Sequence, residues 1–210
     1  RHSCLMEITA YIPAFVALFV IIDPIGLAPL FAALTQGETA RVRRGIAIRA
    51  CLIAFGLLTI FGLAGESVLS FLGISMPAFR MAGGILLFLT ALDMLFERRK
   101  ERRQDQADEP HADDPSVFPL ATPLIAGPGA LATMILLTGQ DGADALHIFA
   151  IHLVMGLVLL CVFALFLLAA PLERLLGPTG INVVTRLLGM LLAALAIQFV
   201  IDGFYDLQVF

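Results

Sequence analysis

The chain has 210 residues, of which 60% are apolar and only 14% charged, with a formal net charge of −4 at pH 7. A soluble domain carries about 45–50% apolar and about 25% charged residues, and a globule of this length has too little interior for so much apolar surface. An ordinary cytosolic or secreted globule is excluded, and the acidic balance gives no basic field for a nucleic acid.

Six apolar segments are long enough to cross a bilayer, for which about 20 residues suffice. In chain order they are 8–34, 46–65, 75–96, 117–138, 145–168 and 185–204. The first carries Asp23 and lacks a basic flank and a small-residue cleavage site, so it reads as a retained helix and not a signal peptide. One long polar stretch, ERRKERRQDQADEPHADDPS at 97–116, interrupts the series. It is charged, Pro-containing and without period, so it reads as a loop between two halves, 1–96 and 117–210. The three cysteines, Cys4, Cys51 and Cys161, form no CxxC and no disulfide framework.

Lys and Arg set the orientation. The connections after spans one, three and five hold Arg41, Arg43, Arg44 and Arg49, then Arg98, Arg99, Lys100, Arg102 and Arg103, then Arg174 and Arg186. These are eleven of the 13 basic residues; the other face has only Arg1 and Arg80. Those connections are expected in the cytoplasm and both termini outside, with short outer loops carrying Glu66, Asp141 and Asp144.

Two features recur between the halves. Asp23-Pro24 is followed by Pro29, and Thr122-Pro123 by Pro128, each as a polar residue, Pro, four residues and Pro. Arg80 is followed three residues later by Gly83, and Arg186 by Gly189. Three spans per half turn the second copy upside down. The expected fold is an all-α membrane protein of six transmembrane helices in two inverted three-helix repeats, an architecture of secondary transporters.

Proline inside a helix removes a hydrogen bond, and in lipid the freed carbonyl needs a partner or a wet cavity. Spans one and four are therefore expected to be broken at Pro/Gly joints. Asp23-Pro24 and Thr122-Pro123 both look like helix starts, with an N-cap residue before a proline. Asp23 lies deep in its span. A half-helix N-terminus suits a carboxylate, and the freed carbonyls opposite suit an ammonium or a cation. The expected binding residues are Asp23, Pro24, Gly26, Thr122, Pro123, Gly127, Pro128, Gly129 and Thr133. Two alternatives stay open: Asp23 as a purely structural cap, and Thr133 bonded only to its own backbone. Arg80 and Arg186 read either as gates on opposite faces or as snorkelling helix ends. Gln198 shares a face with Asp202 and could bond another helix or the substrate.

The strings DPIGLAPLFAAL, FRMAGGILLFLTALDM, ATPLIAGPGALATMILL and TRLLGMLLAALAIQFVIDG resemble the MarC family of integral membrane proteins, also called the neutral amino acid transporter family. The resemblance covers the chain apart from residues 1–5 and the polar loop. It implies six helices in two inverted units and transport of small neutral amino acids such as glycine or alanine.

The expected function is secondary transport of such amino acids by alternating access, the repeats rocking around a midplane site and a proton or cation supplying the coupling. An intramembrane enzyme is not expected, because no HExxH, paired-cysteine or recognisable two-aspartate pattern is present. His147 and His152, five apart, stand about 140° apart around a helix and make no metal pair. No cofactor is expected. Alternatives are transport of another small solute or ion, or a membrane scaffold without transport. Oligomeric state is left open, and the cytoplasmic (inner) membrane is the expected site.

Overall fold

A computed structural model describes residues 11–98, 103, 105, 114–139 and 144–207. The predicted span start at Ile8, the basic residues Arg1, Arg99, Lys100 and Arg102, and the outer Asp141 lie outside the described residues. Every regular element among the described residues is helical. Helix α1 (Ile12–Ile22) and α2 (Pro24–Leu34) are separated by Asp23 alone, and α3 (Ala40–Phe71) and α4 (Met76–Leu95) complete the first half. An irregular coil, Ser116–Ile125, leads into α5 (Pro128–Thr138), followed by α6 (Ala145–Leu167) and α7 (Ala169–Asp206).

Among the described residues, five helices are long and apolar enough to cross a membrane, counting α1 and α2 as one span of 23 residues. A sixth span exists if the proline coil and α5 are taken together, bent by 56°. The first span is the innermost: 61% of its most apolar window is buried, against 17–39% for the other four. It contacts α5, α6 and α7, while α3 packs on the proline coil, α5 and α6. Phe31 of α2 stacks on Phe166 of α6 with ring centroids 4.4 Å apart, both fully enclosed. Phe71, Leu146, Leu175 and many other large apolar side chains face outward. That coat suits lipid and would be a liability in water.

Helices α4 and α7 form the most extensive pair. Small residues let their backbones approach, as in other membrane helix pairs. A Cβ at Gly84 would meet the Ala196 carbonyl oxygen at 2.7 Å, and one at Gly189 would meet Met94 Cβ at 2.9 Å. The α3–α5 contact is similar. Gly65 leaves room for Ile135, and the Thr138 hydroxyl donates to the Gly62 carbonyl at 2.8 Å.

Three boundaries differ from the sequence reading. Helix α3 runs on to Phe71, so Glu66 lies on the helix and not in an outer loop. Helix α3 begins at Ala40, with Thr39 Oγ1 capping the Val42 N–H at 3.4 Å. Arg41, Arg43, Arg44 and Arg49 thus lie on the helix and not in a loop. A Thr N-cap and a polar first turn extend the helix beyond its apolar run. The connection before the last span is also helical. It breaks only at Gly177 (φ 62, ψ 174), a backbone conformation nearly confined to glycine, followed by Pro178.

Candidate functional site

The first joint is one residue long. Asp23 adopts left-handed backbone (φ 57, ψ 65), a region Asp enters more readily than most residues. Its N–H closes α1 on the Phe19 carbonyl at 2.9 Å. Pro24 then opens α2, at a position where an N–H would have no helical partner. The carboxylate folds back, and Oδ1 accepts the Gly26 N–H at 3.0 Å. A Cβ at Gly26 would lie 2.2 Å from Asp23 Oδ2, so only glycine permits this fold-back. With the Gly26 N–H committed to Asp23, the Ile22 carbonyl one turn earlier loses its ladder donor.

Arg103 satisfies both groups left over. Its Nη1 donates to Asp23 Oδ2 at 3.0 Å and its Nη2 to the Ile22 carbonyl at 3.0 Å. Asp23 is 0% and Arg103 7% exposed. A carboxylate at that depth is costly unless paired and hydrogen-bonded, and here it is both. The structure therefore makes Asp23 a helix cap through one oxygen and a cation ligand through the other.

Two cavities flank the guanidinium, and Arg103 lines both. The first, of about 280 Å³, runs from Asp23 and Gly26 past Pro29 to Glu97, Glu173 and Asn182. The Thr185 hydroxyl in its wall is buried with no hydrogen-bond partner among the described residues. The second, of about 230 Å³, is lined by Ile21, Thr90, Pro123 and the turn from Gly127 to Ala130.

The second joint is longer and carries no side-chain cap. Phe118 (φ −128, ψ 127) and Thr122 (φ −133, ψ 123) are extended, as residues before proline tend to be. Both Phe118-Pro119 and Thr122-Pro123 are cis. Helix α5 starts only at Gly127-Pro128. The N–H groups of Gly129 and Ala130 precede the helical ladder, and both residues line the second cavity. A Cβ at Gly129 would lie 2.9 Å from Ile21 Cδ1, so the two joints are neighbours.

The sequence-predicted residues divide accordingly. Asp23 and Gly26 line the first cavity, and Pro123, Gly127, Pro128 and Gly129 line the second. Pro24 is buried at the head of α2. Thr122 stands at a break within Ser116–Ile125: its backbone is extended, its side chain is exposed, and it lines neither cavity. The proline that follows favours the extended form, and a second break at Gly127 precedes α5. Thr133 is buried and donates to the Gly129 carbonyl at 2.8 Å. Gln198 is exposed and donates to Asp202 at 2.7 Å on its own helix, away from both cavities.

Arg80 pairs with Asp206 at one end of the α4–α7 pair. Arg186 pairs with Glu97 at the other, at 2.6 Å. Sequence reasoning missed Arg103 and Thr90 as site residues. Nothing in the polar loop distinguishes Arg103 from its basic neighbours, but a carboxylate deep in a span demands a counter-charge from somewhere.

Outside the spans, Asp114 opens the proline coil. The Ser116 hydroxyl and N–H both donate to its Oδ1, at 2.6 and 3.0 Å, and hold its carboxyl below the usual range, with Arg49 adding at 3.0 Å. Among the described residues, no group of three His, Cys, Asp or Glu converges as a metal site.

Comparison with known proteins gives the same picture. The family described as "MarC family integral membrane protein" matches residues 8–207. A "UPF0056 membrane protein" of Archaeoglobus fulgidus is 39% identical over 94% of this chain and 95% of its own length. "UPF0056 membrane protein YhcE" of Escherichia coli is 35% identical over 94% and 93%, and "UPF0056 inner membrane protein YhgN" of the same organism 37% over 91% and 94%. These names state no substrate. No solved structure matches. A match along nearly the whole chain, joined to helices of bilayer length, makes this a multi-pass integral membrane protein that belongs to the MarC family.

Proposed function

We propose that this chain is a secondary transporter of small neutral amino acids, glycine- or alanine-like, that binds its zwitterionic substrate at the two joints and works by alternating access without covalent chemistry. The observation that carries this reading is the Asp23 joint. There a carboxylate oxygen and a freed carbonyl together hold an organic cation, beside a second joint whose Gly129 and Ala130 line a cavity and have N–H groups ahead of the helical ladder. An amino acid's ammonium would make the same two bonds. Its carboxylate would meet the N–H groups and the positive end of α5. The wall residues Gly26 of the first cavity and Pro123, Gly127 and Pro128 of the second shape the site, with Pro24 buried behind Asp23 at the head of α2.

Reciprocal ion pairing supports the inverted six-helix repeat. Arg80 of the first half pairs with the second half's Asp206, and Arg186 of the second with the first half's Glu97. The pairs sit at opposite ends of one helix pair and are the two gates of this reading. No nucleotide-binding motif is present in the sequence, so the drive in this reading is a proton or cation gradient, with Asp23 as the coupling site, or downhill export. A relative's name places that relative in the inner membrane. We assign the same membrane here, with both termini outside, from the Lys and Arg bias.

The test is a concentration-dependent rise in melting temperature of the purified protein with glycine or L-alanine, beside acetate and ethylamine. Stabilisation by the amino acids above either half-molecule is expected. Stabilisation by ethylamine alone would replace the amino acid with a simple cation, a second reading that the acidic Glu97 and Glu173 of the first cavity favour. No shift with any of the four would overturn the zwitterion site.

A further inference from the structure

The position just assigned to a substrate's amine is filled by the chain itself. Arg103 comes from the polar segment between α4 and the proline coil, 80 residues from Asp23 in sequence. It reaches the joint with two hydrogen bonds, one to a carboxylate and one to a main-chain carbonyl. Those two acceptors are what a bound ammonium or guanidinium requires, and a guanidinium fork suits a paired set of acceptors. The side chain also stands between the two cavities and lines both. It is buried, while Arg98 of the same segment lies over the Phe96 ring at 6.0 Å.

We propose that Arg103 is an internal ligand of the Asp23 joint: it holds the cation position, and an external ammonium or guanidinium group binds there only in its place. This rests on reading the joint as a binding site. The ligand class follows from the bonds, an organic cation with at least two N–H donors. A cation lacking donors, such as tetramethylammonium, cannot use the Ile22 carbonyl. Apparent affinity for an amine is lowered in the native chain by the fraction of molecules in which Arg103 occupies the site.

A purely structural ion pair makes a different prediction, and chemical rescue separates the two. The full chain with Arg103→Ala is purified in detergent and its melting temperature followed against millimolar guanidinium chloride. Sodium and tetramethylammonium chloride at equal ionic strength are the controls. Saturable stabilisation by guanidinium alone is expected in the variant, with none in the native chain and none in Asp23→Asn/Arg103→Ala. Equal responses in the native chain and the variant, or no response beyond sodium, would overturn the proposal.

Arg103→Lys keeps a charge for Asp23 and serves where the alanine variant does not fold. A lysine reaches one acceptor less well, so ethylamine should bind this variant about tenfold more tightly than the native chain. Unchanged or undetectable ethylamine binding there would overturn the internal-ligand role. The amino acid assignment fails separately. Guanidinium rescue with no glycine effect keeps Arg103 as internal ligand and removes only the zwitterion.

Discussion

The two proline joints answer one backbone problem in different ways. At the first, a single left-handed aspartate bridges α1 and α2, and its carboxylate replaces the missing ladder bond. The remaining charge is neutralised by Arg103. At the second, the coil winds through two extended residues, bends by 56° before α5, and caps the helix with bare glycine. One joint uses a side chain and acquires an anionic, cation-holding character. The other uses only backbone and presents donors. Paired breaks in membrane helices need not be chemically equivalent, and under the proposed function their inequivalence would let neighbouring joints read opposite ends of one small molecule.

The sharpest test of that contrast is charge removal. Asp23→Asn keeps an acceptor for Gly26 but leaves the Arg103 guanidinium buried without a counter-ion. Removing one partner of a buried pair typically costs about 3–5 kcal/mol. We expect a loss of that order in a denaturant titration of the purified protein. A loss below about 1 kcal/mol would mean that water or another group serves Arg103 equally well.

Next come the glycines. Gly26→Ala places a Cβ 2.2 Å from Asp23 Oδ2, whereas Gly129→Ala meets the flexible tip of Ile21 at 2.9 Å. Overpacking costs typically about 1–3 kcal/mol. The first substitution should fall at the top of that range and the second at the bottom. Equal losses in thermal unfolding would erase the distinction between a side-chain joint and a backbone joint.

The pH dependence of the coil's entry is a smaller effect. Asp114 has its folded pKa depressed below the usual 3.8 by the Ser116 hydrogen bonds. Its contribution is fully present above the unfolded carboxylate value and is lost as pH falls through the lower folded value. Melting temperatures of the native chain and Asp114→Asn should differ slightly at neutral pH and converge on acidification to the foot of the acid limb. A constant difference down to that limb would show that the hydrogen bonds do not depend on ionisation.

The smallest effect is expected at Thr122, the sequence counterpart of Asp23. Its side chain is exposed, so Thr122→Ala should change stability by less than about 0.5 kcal/mol. A larger loss would restore the equivalence of the two motifs.

The spans were legible because lipid imposes a continuous apolar length that few other constraints mimic. The Asp23 break was legible because left-handed Asp, Pro and Gly each leave a local signal. The second joint was half legible. The prolines announced a break, but the structure has two, at Thr122 and at Gly127, where the sequence reading treated the motif as one joint. Gln198 looked like a candidate because polarity in a span draws notice, yet the same helix supplies its partner Asp202. Arg103 was not legible. Its role depends on a tertiary contact across 80 residues, and the loop's composition explains any of its basic residues equally well as topology signals.

The α4–α7 pair has a mechanical consequence. Each of these helices belongs to a different half of the sequence, yet Gly84 and Gly189 bring their backbones together and an ion pair closes each end. Sliding one half past the other would shear this clasp along its whole length. The pair therefore ties the two halves of the sequence to one another, and any sliding of one half past the other has to break one of the two ion pairs.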